Sequence, residues 1–270
     1  MPQKPVREQE QDEEQQSVPQ TLHENTQEAI AGAQQEVQAA KAPWYLTLKR
    51  GRLLLVLYAL QLALFGILAW WVHAHPVLQI DVAITREFQE NQAPWLKYIM
   101  IAVSYPGMIP LISIGLVVLA GVILWLVRLR LEAVILVALS AFSSLLNGLL
   151  KIIVARPRPT GRLVDILQAA SGLSFPSGHV MAYLAFWGFL FSLCIILFRG
   201  KSWWRITLLI VSALFVVLVG PSRIYLGDHW ASDVLGAYLI GGVLLGVALW
   251  LYLMLRDRGV LSRKEKRPEA

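Results

Sequence analysis

Cysteine is almost missing from this 270-residue chain: Cys194 stands alone. A single thiol forms no disulfide within one chain and no multi-cysteine metal site. Charge is scarce as well. Asp, Glu, Lys and Arg make up 16% of the residues, against about 25% in an average soluble domain. The start of the chain has neither a basic segment nor an apolar one, so it lacks the pattern of a secretory signal. What the chain has in excess is apolar surface. Residues of the AVILMFWYC set make up 56%, and the mean hydropathy is +0.56. They come in long blocks, and a block of about 18 apolar residues crosses roughly 30 Å of hydrocarbon as a helix. The fold class expected is all-α, a polytopic membrane helical bundle. The net charge of +6 would suggest nucleic acid in a soluble protein. Here the basic residues flank the apolar blocks, where they orient spans, and no nucleic-acid partner is expected.

Three regions follow. Residues 1–42 are rich in Gln and Glu, with Pro2, Pro5 and Pro19 and no apolar block. Such a composition buries too little surface to fold alone, which predicts a disordered cytosolic tail. Residues 43–257 carry six apolar blocks, at about 53–72, 108–127, 133–154, 180–198, 206–220 and 231–255. They predict six transmembrane helices. Residues 258–270 form a basic tail. Six spans put both termini on one side. Arg50, Arg52, Arg128, Arg130, Arg199, Lys201, Arg205, Arg256 and Arg258 all fall on that side, which the positive-inside rule makes cytoplasmic. The long connection from His73 to Lys97 contains "DVAITREFQE", an amphipathic stretch suited to the outer membrane surface. His73 and His75 beside it read as interfacial polar residues.

Seven basic residues remain on the opposite side, and most lie in two short loops. They belong to three polar clusters at the outer ends of spans: "KIIVARPRPTGR", "FPSGH" and "PSRIYLGDHWASD". Spans that end on one face bring these clusters to one cavity. Lys151, Arg158 and Arg223 then supply positive charge with no carboxylate expected to neutralise each. Arginine forks match phosphate oxygens. Ser177 and Gly178 precede a helix start, where free N–H groups favour an anion, and Gly178 has no side chain to hold the anion off. His229 and Asp233 are four residues apart, one helical turn, so the carboxylate can fix the imidazole tautomer. His179 adds a second imidazole. Two histidines around a basic cradle suggest phosphoryl transfer through a phosphohistidine.

The whole set resembles the type 2 phosphatidic acid phosphatase superfamily, the lipid phosphate phosphatases. Its Lys-x6-Arg-Pro part matches Lys151 to Arg158-Pro159, Pro-Ser-Gly-His matches Pro176 to His179, and Ser-Arg-x5-His-x3-Asp matches Ser222 to Asp233. Arg156-Pro157 is a second Arg-Pro pair, two residues too close to Lys151 for this pattern. The resemblance covers about residues 53–255. It implies His229 as nucleophile, Asp233 as its orienting partner and His179 as general acid and base. Lys151, Arg158, Ser177, Gly178 and Arg223 would bind phosphate, with no metal and no other cofactor. The implied substrate is a membrane lipid phosphate: phosphatidic acid, phosphatidylglycerol phosphate or undecaprenyl diphosphate. The short loops resemble those of bacterial members, which implies an inner (plasma) membrane with the site on the extracytoplasmic side. A phosphotransferase with the same intermediate, a vanadate-dependent haloperoxidase and a non-catalytic lipid binder or transporter are the competing readings. Six spans argue against the haloperoxidase, and the presence of both histidines argues against the binder.

Overall fold

The computed structural model describes residues 44–198, 200 and 202–261. The expected 1–42 tail and the end of the basic tail, 262–270, lie outside the described residues. The chain divides into two units, 1–57 and 58–270. Of the first unit, the described part is helical, the opening turns of α1 (Trp44–Ala74). Everything below concerns the second unit.

There α1 continues to Ala74, and after it come α2 (Gln79–Gln89), α3 (Pro94–Met108), α4 (Pro110–Leu126), α5 (Arg130–Val154), α6 (Gly178–Leu197), α7 (Trp203–Tyr225) and α8 (Ala231–Asp257). No strand occurs among the described residues. Among the described residues, five helices are long and apolar enough to cross a membrane: α1 from Gly51, and α5 to α8. The pair α3 and α4 makes a sixth candidate, broken by a 72° bend. Large apolar side chains such as Leu111, Ile152, Val217 and Trp250 are exposed along these helices, as a lipid-facing surface requires.

The bend changes the expected second span. The apolar block at 108–127 is its second half; the first half, Pro94–Met108, starts inside the expected His73–Lys97 connection and fills the residues between it and that block. Pro106 lies inside α3, Gly107 follows it, and Pro110 opens α4. Proline removes a helical hydrogen bond and holds the preceding residue extended. Ile109 is accordingly at φ −105°, ψ 112°. The break aims Gly107 at α6, where a Cβ on Gly107 would stand 2.4 Å from Cδ2 of His179. The Tyr183 hydroxyl donates to Val103 O at 2.6 Å and ties α6 to α3.

The amphipathic stretch is helical through Gln89, as α2, but its polar face points inward. Asp81, Thr85 and Gln89 are buried, while Ile80 and Phe88 are exposed. Gln89 donates to Asp165 O and Tyr225 O, at 2.7 and 3.0 Å, so α2 holds the 155–177 loop and the end of α7. His73 and His75 differ in role. His73 Nδ1 meets Val154 O at 2.9 Å, a carbonyl at the end of α5, and His75 lies against the Trp71 ring.

Candidate active site

Four ends of spans meet at one end of the bundle. Ala155, in the left-handed region at φ 51°, stops α5, and the two prolines of Arg156-Pro157-Arg158-Pro159 keep the chain out of helix. The next span opens at Gly178, after Ser177 at its cap. The first N–H bonded back along this helix start is that of Met181, to Ser177 O at 3.2 Å. The N–H groups of Gly178, His179 and Val180 precede it, in the position where helices leave donors free. Between α7 and α8 the chain turns at Gly227, φ 74°, where a Cβ would sit 2.2 Å from Asp165 O. Only glycine fits both the dihedral and the space. That turn carries Asp228 and His229, whose N–H groups both donate to Arg223 O.

His229 is therefore not on α8, as one helical turn to Asp233 suggests, but in the turn before it. Asp233 sits in the first turn of α8 and caps it, its Oδ2 accepting from Trp230 N–H at 2.9 Å. The same Oδ2 faces His229 Nδ1 at 3.4 Å and accepts from the Ser174 hydroxyl. On the other side of the ring, Nη1 of Arg158 lies 3.3 Å from Nε2. A guanidinium only donates, so Nε2 carries the lone pair and Nδ1 the proton. The pKa of His229 is lowered to about 4, by burial first and then by Arg158 and Arg223, with Asp233 opposing them. The imidazole is neutral at physiological pH with a lone pair aimed towards Arg158. Burial also lowers the pKa of Arg158 from the ordinary arginine value, Asp233 again opposing.

Around this nitrogen the other expected residues assemble. His179 lies within electrostatic reach of Arg223, His229, Arg158 and Lys151. Lys151 donates to Leu173 O at 2.7 Å and Arg158 to Ser171 O and Asp228 O. Several polar atoms are buried without a partner among the described residues: the donors Nε and Nη1 of Arg223, with Nε2 of His179 and Oγ of Ser177. An unpaired buried donor is costly, and an anion offers acceptors to such groups. Gly178 differs in part from expectation. A Cβ there would stand 3.0 Å from Oδ1 of Asn147, so the missing side chain makes room for α5 as well. Among the described residues no group of three or more His, Cys, Asp or Glu side chains is placed to hold a metal ion.

The charge balance also differs. Arg223 is not free of carboxylates, because its Nη2 meets Asp228. The shorter Arg-Pro pair turns out to be buried: Arg156 reaches Asp233 Oδ1 at 2.6 Å and Asp81 Oδ2 at 2.7 Å. Sequence reasoning missed Asp81, Asn147, Gly107 and Ser174, left Arg156 without a place, and weighed Asp228 only as a surface ion-pair partner of Arg223, a pair that the structure buries. For Asp81 a signal existed. Asp81, Thr85 and Gln89 recur every fourth residue, an inward polar stripe on a helix. Nothing local marks Gly107 or Ser174.

A helical membrane bundle with histidines and basic side chains gathered at one end is compatible with one class of enzyme, the membrane-embedded phosphatases. The comparisons with known proteins agree. The PAP2 superfamily profile matches residues 132–257. Phosphatidylglycerophosphatase B of Bacillus subtilis (strain 168) is 31% identical over 181 residues, 66% of this chain and 85% of that protein. Phosphatidylglycerophosphatase B of Escherichia coli (strain K12) is 38% identical over 86 residues, 31% of each chain. The crystal structure of a transmembrane PAP2-type phosphatidylglycerolphosphate phosphatase from Bacillus subtilis aligns with a TM-score of 0.63 at 27% identity, covering 78% of this chain and 98% of that one. The chain belongs to the PAP2 superfamily. It is an integral membrane phosphatase, a hydrolase of lipid metabolism.

Proposed function

We propose that the protein hydrolyses a lipid phosphate ester through a phosphohistidine on His229, with phosphatidylglycerol phosphate as the leading substrate. The unpartnered buried polar atoms of Arg223, His179 and Ser177 carry this reading. They are what a phosphoryl group would fill, beside a neutral imidazole with its lone pair at Nε2. The choice of lipid leans on the names of the relatives; phosphatidic acid and undecaprenyl diphosphate use the same headgroup chemistry.

In the first step Nε2 of His229 attacks phosphorus and the bond to the lipid oxygen breaks. His179 donates its proton to that oxygen. Asp233 accepts the Nδ1 hydrogen bond and balances the charge that grows on the ring. Arg158, Arg223, Lys151 and the N–H groups at the start of α6 hold the equatorial oxygens. In the second step a water attacks phosphorus, His179 takes its proton, and the P–N bond breaks to release phosphate. The substrate reaches the site from the bilayer, with its headgroup on the extracytoplasmic side.

The test is phosphate release by purified protein in detergent from the three lipids, with a metal chelator present. Turnover is expected in chelator, fastest with phosphatidylglycerol phosphate. Inactivity on all three lipids in a folded preparation would overturn the reading. A requirement for added divalent metal would overturn the metal-free step. Sidedness is read with Ala169→Cys, at an exposed position of the 155–177 loop. An impermeant thiol reagent is expected to label it from outside the cell, and labelling only from the cytosol reverses the orientation.

A further inference from the structure

Arg156 is fully buried, yet it is not in the phosphate cradle. Its guanidinium lies between two carboxylates, also buried. Nη1 donates to Asp233 Oδ1 at 2.6 Å and Nη2 to Asp81 Oδ2 at 2.7 Å. Nε donates to Pro76 O at 2.9 Å. Ser232 closes the ring. Its hydroxyl accepts from Arg156 Nη1 and donates to Asp81 Oδ2, at 2.7 and 2.6 Å, and its N–H donates to Asp81 Oδ1 at 2.9 Å. Each donor of the fork therefore points to a fixed acceptor on a different part of the chain: the segment before α2, α2 itself and α8.

We propose that Arg156 is the positioning residue that fixes the Asp233 carboxylate against His229, and that Asp81 anchors Arg156 in that task. The inference rests on the reading of His229 as nucleophile. Asp233 Oδ2 already serves Trp230 N–H and the Ser174 hydroxyl as well as His229. By holding Oδ1, Arg156 fixes the carboxylate rotation and leaves Oδ2 for the ring. It also takes up part of the Asp233 charge. Asp81 in turn takes up part of the Arg156 charge, so the row Asp81, Arg156, Asp233 keeps one negative charge in excess beside the imidazole. An isolated buried guanidinium would otherwise cancel Asp233 and weaken its support for a phosphorylated ring. The row also links α2, whose Ile80 and Phe88 are exposed, to the reacting nitrogen through three side chains.

The groups facing His229 are Asp233, Ser174, Arg158, Arg223 and His179, with Asp228 next to it in the chain and paired to Arg223. Those facing Asp233 are Arg156, Ser174, Ser232 through Arg156, and Lys151 and Arg158 by charge. Arg156, and Asp81 behind it, are outside the phosphate cradle, so changing them alters His229 without removing a phosphate ligand.

The experiment compares full-length wild type, Arg156→Gln, Arg156→Lys, Asp81→Asn and His229→Ala in detergent, with phosphatidylglycerol phosphate as substrate, over a pH series. Arg156→Gln is expected to lower kcat by about 10²-fold with KM nearly unchanged, the cost of a misplaced catalytic group. Its acid limb in kcat/KM is expected to move up by about one pH unit or more, since His229 then feels the whole Asp233 charge. Asp81→Asn is expected to move the limb the other way and lower kcat by on the order of 10-fold. Arg156→Lys keeps the charge and loses the fork, so it retains the limb with a reduced kcat, and it stands in if the Gln variant does not fold. Folded Arg156 and Asp81 variants with the wild-type limb and wild-type turnover per folded molecule would overturn the inference. Turnover retained in His229→Ala overturns the underlying reading instead.

Discussion

At the end of the bundle where α5 and α7 finish and α6 and α8 begin, the buried side chains include Asp81, Arg156, Arg223, Asp228, His229 and Asp233. At the opposite end the same helices bury Leu131, Ile135, Leu136, Leu139, Phe186, Phe189 and Leu193. There Glu132 is the buried acid, and it accepts from the Tyr252 hydroxyl at 2.8 Å. The two ends thus solve different problems. One end packs mainly apolar side chains, with the Glu132–Tyr252 pair among them, which is what a bundle in lipid needs. The other takes on several buried charges, pairs some of them, and leaves polar atoms of Arg223, His179 and Ser177 unsatisfied. Buried ion pairs are weak support for stability, so their concentration at one end points to chemistry there. Changes at the polar end should cost turnover more than folding; changes at the apolar end should do the reverse.

The largest contrast is expected from His229→Ala. Phosphate release should vanish while the protein stays folded, because the imidazole between Asp233 and Arg158 is lost. Persistent turnover in this variant would end the phosphohistidine reading. Next comes His179→Ala, expected to cost on the order of 10²–10⁴ in kcat as the loss of a general acid. A substrate with a much better leaving group should recover part of the loss, since it needs less protonation.

A smaller effect is expected in the pH profile. His229 attacks only when neutral, and burial with Arg158 and Arg223 holds its pKa at about 4. Activity then rises as pH rises through that value, so the acid limb of kcat/KM lies well below the ordinary histidine range once the substrate's own ionisation is corrected. Arg158 is one of the groups lowering the value. Arg158→Gln should therefore raise it and move the limb to higher pH, in addition to weakening phosphate binding. A limb at the ordinary histidine value in wild type would contradict the buried geometry.

The smallest effect on turnover is expected at the apolar end. Tyr252→Phe removes the donor to Glu132 and should cost about 1–3 kcal/mol of stability, the cost of a buried acceptor left unpaired. Thermal unfolding in detergent measures it. Phosphate release per folded molecule should match wild type, and a matching loss of kcat would dissolve the contrast between the two ends.

Much of the polar end was legible because its residues sit in short local patterns. Pro-Ser-Gly-His at 176–179 and the spacing from Arg223 to Asp233 place a helix start and a helix cap beside histidines, and local rules carry that far. The bend at Pro106–Pro110 was less legible, because an apolar run beginning at 108 looks like one straight span. Asp81 was hidden for a related reason. Its helix was read as a surface element with a wet polar face, and only packing decides whether a polar face meets water or Arg156.

By itself the sequence determined that this chain builds apolar helices, that their polar ends share one side, and which residue types gather there. Those features depend on hydropathy and on neighbours a few residues away. Only the tertiary structure decided which partner each charge receives. Arg156 and Arg158 are both followed by proline and stand two residues apart. One is buried between Asp81 and Asp233, and the other reaches the lone pair of His229. That choice depends on α2, α5 and α8 meeting in space, 75 or more residues apart in sequence for Arg156 with either carboxylate, and no local pattern encodes it.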